Sequence, residues 1–128
     1  MHRVAANGAE IPALGFGTWE LRGATAQRLV EAALAIGYRH LDTAQMYGNE
    51  AEVGAGLRAS GLGRDEVFLT TKIWPDRFRA GDLEPSVDES LARLRLDAVD
   101  LLLLHWPSRE VPLAETMAAL NRVHAAGK

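Results

Sequence analysis

The stretch Gly37–Gly54, GYRHLDTAQMYGNEAEVG, opens with a short apolar alternation (Tyr38, Leu41) that ends in Asp42. A small polar loop follows and holds Tyr47 beside Gly48. Asn49 then has the character of a helix N-cap, with Glu52 three residues on, close to a capping box. The pattern predicts a strand, a loop and a helix, with a carboxylate at the strand end and a phenol on the loop above it. Loops at the C-terminal ends of parallel strands are where α/β folds place chemistry. A plainer reading is a strand end capped by a helix, with Tyr47 a packed surface aromatic. The stretch alone leaves both open.

Working outward, Gly37 is the expected stop of a helix over Ala24–Ile36, whose Leu29, Val30, Ala33 and Leu34 share one face. Before that helix, Asn7-Gly8 is a type I′ signal and predicts a small β-hairpin. A strand is expected at Ala13–Gly17. Gly15 and Gly17 match part of a dinucleotide-binding glycine fingerprint, but the third glycine is missing. Beyond Gly54 the helix continues to about Ser60, with Val53 and Leu57 inward. Val67–Ile73, VFLTTKI, is a strand by its β-branched and aromatic content. Asp82 is the expected N-cap of a helix in which Leu83, Val87, Leu91 and Leu94 share a face. Val99–Leu104, VDLLLL, reads as a strand covered on both faces. A last helix is expected from about Pro112 to Ala126, with Leu113, Met117, Leu120 and His124 on one side. The result is a hairpin followed by four βα units at a strand spacing of roughly 30 residues, typical of right-handed parallel crossovers. Such a series fits half of an eightfold barrel or a small open doubly wound sheet.

Composition removes several function classes. The chain has 128 residues, 48% hydrophobic, with a net charge of −3. It carries no basic footprint for nucleic acid or for an anionic membrane surface. There is no cysteine, hence no disulfide, thiolate nucleophile or Cys-based zinc site. His2, His40, His105 and His124 show no metal-ligand spacing, so no metal is expected. No apolar run approaches the ~20 residues of a membrane span, and no signal-peptide core is present, so a cytoplasmic location is expected. Only two of the basic residues are lysines, Lys72 and Lys128. Lys72 lies inside an apolar strand, where an ammonium needs a partner.

The four expected strands end in Gly17-Thr18-Trp19, in Asp42 with Tyr47 on its loop, in Lys72 with Trp74, and in His105 with Trp106. If the strands are parallel, these ends share one rim. All three tryptophans lie there, with a carboxylate, a phenol, the one internal lysine and a histidine. Singly, each has a structural explanation: packing aromatics, an ion pair, a satisfied core histidine. Agreement across four consecutive strands favours a site.

The residues LGFGTW (Leu14–Trp19), GYRHLDTAQMYGNEAEVG (Gly37–Gly54), TTKIW (Thr70–Trp74) and LRLDAVDLLLLHWP (Leu94–Pro107) resemble the aldo-keto reductase family, in family order and spacing. The bacterial 2,5-diketo-D-gluconate reductase-type members are the most similar. The resemblance implies a (β/α)8 barrel and NADPH-dependent reduction of a small-molecule aldehyde or ketone, such as a sugar-derived keto acid, to an alcohol. It implies a catalytic tetrad of Asp42, Tyr47, Lys72 and His105. Tyr47 would donate the proton, since a nearby ammonium favours the phenolate left behind. Lys72 would supply that charge, Asp42 would hold Lys72, and His105 would orient the carbonyl. Gly17, Thr18, Trp19 and Asp42 are the implied cofactor contacts. Trp19, Tyr47, Trp74, His105 and Trp106 are the implied substrate contacts, forming apolar walls of the kind small-molecule pockets use.

Complete family members run to about 250 residues or more. Residues 1–128 are therefore expected to be the N-terminal half of such a barrel, an incomplete domain without the later strands of the cofactor site. That implies a chain inactive alone. Complete members are expected to be mostly monomeric, whereas this chain would associate with itself through uncovered edge strands. Two other readings compete. A non-catalytic module that binds a protein partner would not need Lys72, Asp42 and Tyr47 together. An open flavodoxin-like domain would need the phosphate-binding glycine loop.

Overall fold

The computed structural model describes all 128 residues, Met1–Lys128. A two-stranded antiparallel hairpin, β1 (Arg3–Ala6) and β2 (Ala9–Pro12), comes first. Its turn has positive φ at both Asn7 and Gly8, at 48° and 83°, as a type I′ turn requires. Then follow β3 (Phe16–Gly17), α1 (Gly23–Ala35), β4 (His40–Asp42), α2 (Glu50–Ala59), β5 (Phe68–Ile73), α3 (Leu83–Leu94), β6 (Leu101–Leu104) and α4 (Leu113–Ala125). The last four strands form one parallel sheet in the order β3-β4-β5-β6. Sequential order with a helix after every strand is the βα series expected from the sequence, wound one way as in a barrel segment.

The pleat sorts the sheet residues onto two faces. Leu41, Leu69 and Ile73 are fully buried among the helices. Their neighbours along the chain, His40, Asp42, Thr70 and Lys72, face the other side and pair there. His40 Nε2 lies 2.9 Å from Thr70 Oγ1, and Lys72 Nζ lies 2.6 Å from Asp42 Oδ1. Two apolar clusters make the core. One joins α1 and α2 to β4 and β5 through Val30, Leu34, Val53 and Leu57. The other joins α3 and α4 to β5 through Val87, Leu91, Ala119 and Val123. Gly54 lets α2 meet the end of α3, since a Cβ there would lie 2.3 Å from Leu94 O.

Several local expectations are corrected. The first sheet strand is only Phe16–Gly17, not Ala13–Gly17, since Ala13 and Leu14 form a bend before it, and Gly15 leaves room for the His40 ring. The last strand is Leu101–Leu104, with Val99 and Asp100 leading in. Neither Asn49 nor Asp82 caps its helix through its side chain. Asn49 is instead buried, bonding Thr18 O at 2.8 Å and Leu21 O at 3.0 Å. On α1 the inward residues include Ala26, Val30 and Leu34, whereas Leu29 is exposed. On α4 they are Thr116, Ala119 and Val123. Leu113 and Met117 are exposed, and His124 is exposed beside a groove. VDLLLL is not covered on both faces: Leu103 is 38% exposed on the inner side of the sheet.

Candidate active site

Parallel register brings the sheet's C-terminal ends together. Gly17 is level with Asp42, Asp42 with Thr70, and Lys72 with Leu103. Tyr47 ends a 3₁₀ turn, Gln45–Tyr47, that rises from the end of β4 and is closed by Gly48 at φ 65°. The left-handed value at that point is the reason glycine stands there. His105 follows β6 directly, its N–H bonded to Ile73 O at 2.9 Å.

Lys72 is the centre of the arrangement. Its Nζ donates to Asp42 Oδ1 at 2.6 Å, to Thr43 O at 3.0 Å and to Tyr47 Oη at 3.2 Å. An ammonium has three hydrogens, and all three are committed. The Lys72 side chain is only 15% exposed and Asp42 32%, so the pair is screened less than a surface ion pair. Because Tyr47 Oη accepts from Lys72, its own hydrogen is free to be given to another acceptor. The ammonium also lies 4.9 Å from the Tyr47 ring centroid.

His105 is enclosed by aromatic rings. Tyr47 and Trp74 meet it edge-on at centroid distances of 5.7 and 5.1 Å, and Trp106 stacks on it at 6.1 Å. Burial holds its imidazole below the ordinary range, the Lys72 ammonium pushes it further down, and Asp42 partly offsets both. Nδ1 is buried without any partner. A lone pair costs less there than an unpaired N–H, which assigns the ring proton to Nε2. A neutral imidazole carrying Nε2–H is a hydrogen-bond donor that adds no charge.

The structure therefore brings Asp42, Tyr47, Lys72, His105, Trp74 and Trp106 into one cluster. Trp19 lies further along the rim and is 63% exposed. Thr18 stands differently from its expected place at a cofactor. It is fully buried, and both its N–H and its hydroxyl are bonded to Asp42 O, at 3.0 and 2.9 Å. Its visible role is to tie β3 to the end of β4. For a nicotinamide nucleotide the residues present offer one open acceptor, since Lys72 binds Asp42 through Oδ1. That acceptor suits the hydroxyls at the ribose end of such a molecule, with Gly17 and Trp19 exposed beside it.

Sequence reasoning overlooked Gln45 and Arg93. Gln45 Nε2 donates to Ser86 O at 3.1 Å and Ser90 Oγ at 3.1 Å, and Gln45 Oε1 accepts from Trp74 N–H at 3.1 Å. Arg93 Nε donates at 2.8 Å to Glu50, whose carboxylate is 1% exposed. Only an acidic residue entering an amphipathic helix hinted at this.

Residues 13–128 match the model of the aldo/keto reductase family. Methylglyoxal reductase DkgB of Yersinia pestis is 46% identical over 119 residues, covering 91% of this chain and 45% of that protein. Glycerol 2-dehydrogenase (NADP(+)) of Saccharomyces cerevisiae is 48% identical over 105 residues, covering 82% of this chain and 33% of that protein. A crystal structure provisionally named 2,5-diketo-D-gluconic acid reductase B superposes with a TM-score of 0.97 at 58% identity, over 100% of this chain and 46% of the other. The chain thus spans less than half the length of the relatives it matches.

Proposed function

The chain belongs to the aldo/keto reductase family, and on that premise we propose that residues 1–128 form the catalytic half of a nicotinamide-dependent carbonyl reductase. The single observation that carries this reading is the Lys72 Nζ–Tyr47 Oη hydrogen bond of 3.2 Å, with Asp42 on the same ammonium at 2.6 Å. It turns the phenol's hydrogen away from Lys72 and sets a cation against the oxygen that becomes phenolate.

Asp42 and the exposed Gly17 and Trp19 would hold a nicotinamide, which when bound would supply the hydride that the carbonyl carbon gains. Tyr47 gives its proton to the carbonyl oxygen, so the two additions together yield the alcohol. Lys72 stabilises the resulting phenolate without giving up its own proton. Asp42 holds the ammonium in place through their 2.6 Å ion pair. His105, neutral, donates from Nε2 to the carbonyl oxygen and orients it. Trp19, Trp74 and Trp106 supply apolar walls for the substrate. The phenolate then regains a proton from water.

A small aldehyde, ketone or sugar-derived keto acid is the proposed substrate, in line with the carbonyl compounds named for the relatives. NADPH is the proposed cofactor, supported by the NADP(+) in the name of the yeast relative. The test is a graft in which residues 13–128 replace the matching segment of the Yersinia pestis DkgB barrel. Methylglyoxal-dependent oxidation of NADPH, faster than that of NADH, is expected. A folded, NADPH-binding graft without turnover would overturn the reading.

A further inference from the structure

Behind the rim, on the helix side of the sheet, a circuit of polar contacts runs through five side chains. Trp74 N–H donates to Gln45 Oε1 at 3.1 Å, and Gln45 Nε2 donates to Ser90 Oγ at 3.1 Å. Arg93 Nη2 donates to the same Ser90 Oγ at 3.2 Å, and its Nε to Glu50 Oε2 at 2.8 Å. Thr71 Oγ1 closes the path, donating to Glu50 Oε1 at 2.6 Å. The path leaves β5 at Thr71 and returns just past the end of that strand at Trp74, on either side of Lys72. It also grips the segment after β4 at Gln45 and at Glu50, the first residue of α2, on either side of Tyr47. Ser90 and Arg93 anchor it on α3.

We propose that Gln45, Glu50, Thr71, Ser90 and Arg93 are positioning residues, forming a ring that sets Tyr47 against Lys72 and His105. The proposal rests on the reading of Tyr47 as proton donor. None of the five belongs to the tetrad, and Thr71 points away from Lys72 because neighbours on a strand alternate. The turn that carries Tyr47 is held by few backbone bonds of its own, Tyr47 N–H to Ala44 O at 3.1 Å and Gly48 N–H to Gln45 O at 3.2 Å. Its angle to the sheet must therefore come from side chains, and the Gln45 amide spans from the end of β5 to α3. A carboxylate as buried as Glu50, at 1% exposure, is costly unless fully paired, and apolar residues would pack that space at no loss. A satisfied buried network of this kind fixes geometry rather than adding stability.

The ring predicts a signal at His105, which touches both Tyr47 and Trp74. Exchange of the imidazole C2–H followed by mass spectrometry gives its titration midpoint in the grafted barrel, with His124 as an internal control. Gln45→Met and Thr71→Val should each loosen the aromatic enclosure. Each should raise the His105 midpoint by about 0.3 pH units or more, a twofold change in the protonation constant. Thr71→Ser keeps the hydroxyl and should stay at the parental value. A merely structural network would lower melting temperatures and leave the midpoint where it was, and that result in folded Gln45→Met and Thr71→Val overturns the proposal. If Thr71→Val does not fold, Gln45→Met, at the more exposed position, decides alone. Lys72→Met belongs in the same series. A shift with Lys72→Met but none with the ring variants removes the ring and keeps the site. No shift with Lys72→Met removes the reading of the site, and the ring with it.

Discussion

At the scale of single residues, Lys72 separates a catalytic account from a structural one. Its ammonium is one of the causes that hold the His105 imidazole low. Lys72→Met should therefore raise the pH at which His105 titrates and slow carbonyl reduction in the grafted barrel. It also strips Asp42 of its cation, at a cost of about 1–3 kcal/mol. A purely structural Lys72 would give the same stability loss with undiminished turnover per folded molecule. His105 adds a pH dependence of its own. Burial disfavours the imidazolium, so the folded chain takes up this proton at lower pH than the unfolded chain, whose value is about 6.5. The unfolded state then binds more protons between those two values, and stability falls as pH is lowered through that window. His105→Gln removes the group and should flatten this part of the profile. Urea midpoints of parent and variant between about pH 5 and pH 7 make the comparison, and identical slopes would contradict it.

At the scale of elements, Gly54 fixes how α2 meets α3. A methyl at that position would stand 2.3 Å from Leu94 O, an overlap with backbone that no side-chain motion relieves. Gly54→Ala should cost about 1–3 kcal/mol by urea denaturation, although alanine favours a helix. A neutral or stabilising result would mean that the helices separate freely. The same element shows what could be read from sequence. Its inward Val53 and Leu57, and the Leu83, Val87, Leu91 and Leu94 face of α3, were legible because each helix packs one stripe on the sheet. The stripe of α4 was misplaced: Leu113 and Met117 look inward by hydropathy, yet Thr116, Ala119 and Val123 fill the narrow space against α3 and β5. Small residues are chosen there for fit, which hydropathy does not register. The caps failed for a related reason. Asn49 has the right chemistry for a cap, but its amide is used to bind the loop after β3. The clustering of Asp42, Tyr47, Lys72 and His105 was legible because each lies at or next to a strand end or on the loop that follows one. The ring around Gln45 and Glu50 was not, because its partners lie 21 to 45 residues away.

At the scale of the whole molecule, β3 and β6 each have a neighbour on one side only. The free edge of β6 is a run of four leucines, Leu101–Leu104, the kind of edge that recruits another strand. Beside it lies a groove of about 710 Å³ lined in part by Ile11, Leu102, Met117 and Leu120. Taken alone, the 128-residue polypeptide should associate with itself or aggregate through these edges and show no NADPH-dependent reductase activity. A monodisperse monomer by light scattering that quenches NADPH fluorescence at micromolar concentration would contradict this, and would mean that four βα units suffice to fold and to bind cofactor. Within a completed barrel the proposed chemistry rests on one hydrogen atom, the phenolic hydrogen of Tyr47. Tyr47→Phe removes it and keeps the ring, so the decisive comparison is the turnover of the grafted barrel with and without Tyr47→Phe, at saturating NADPH and methylglyoxal. The expected result is a loss of at least about 10²-fold, the lower end for a general acid, with NADPH binding nearly unchanged. Turnover of the variant equal to that of the parent graft would contradict the role of Tyr47 as proton donor.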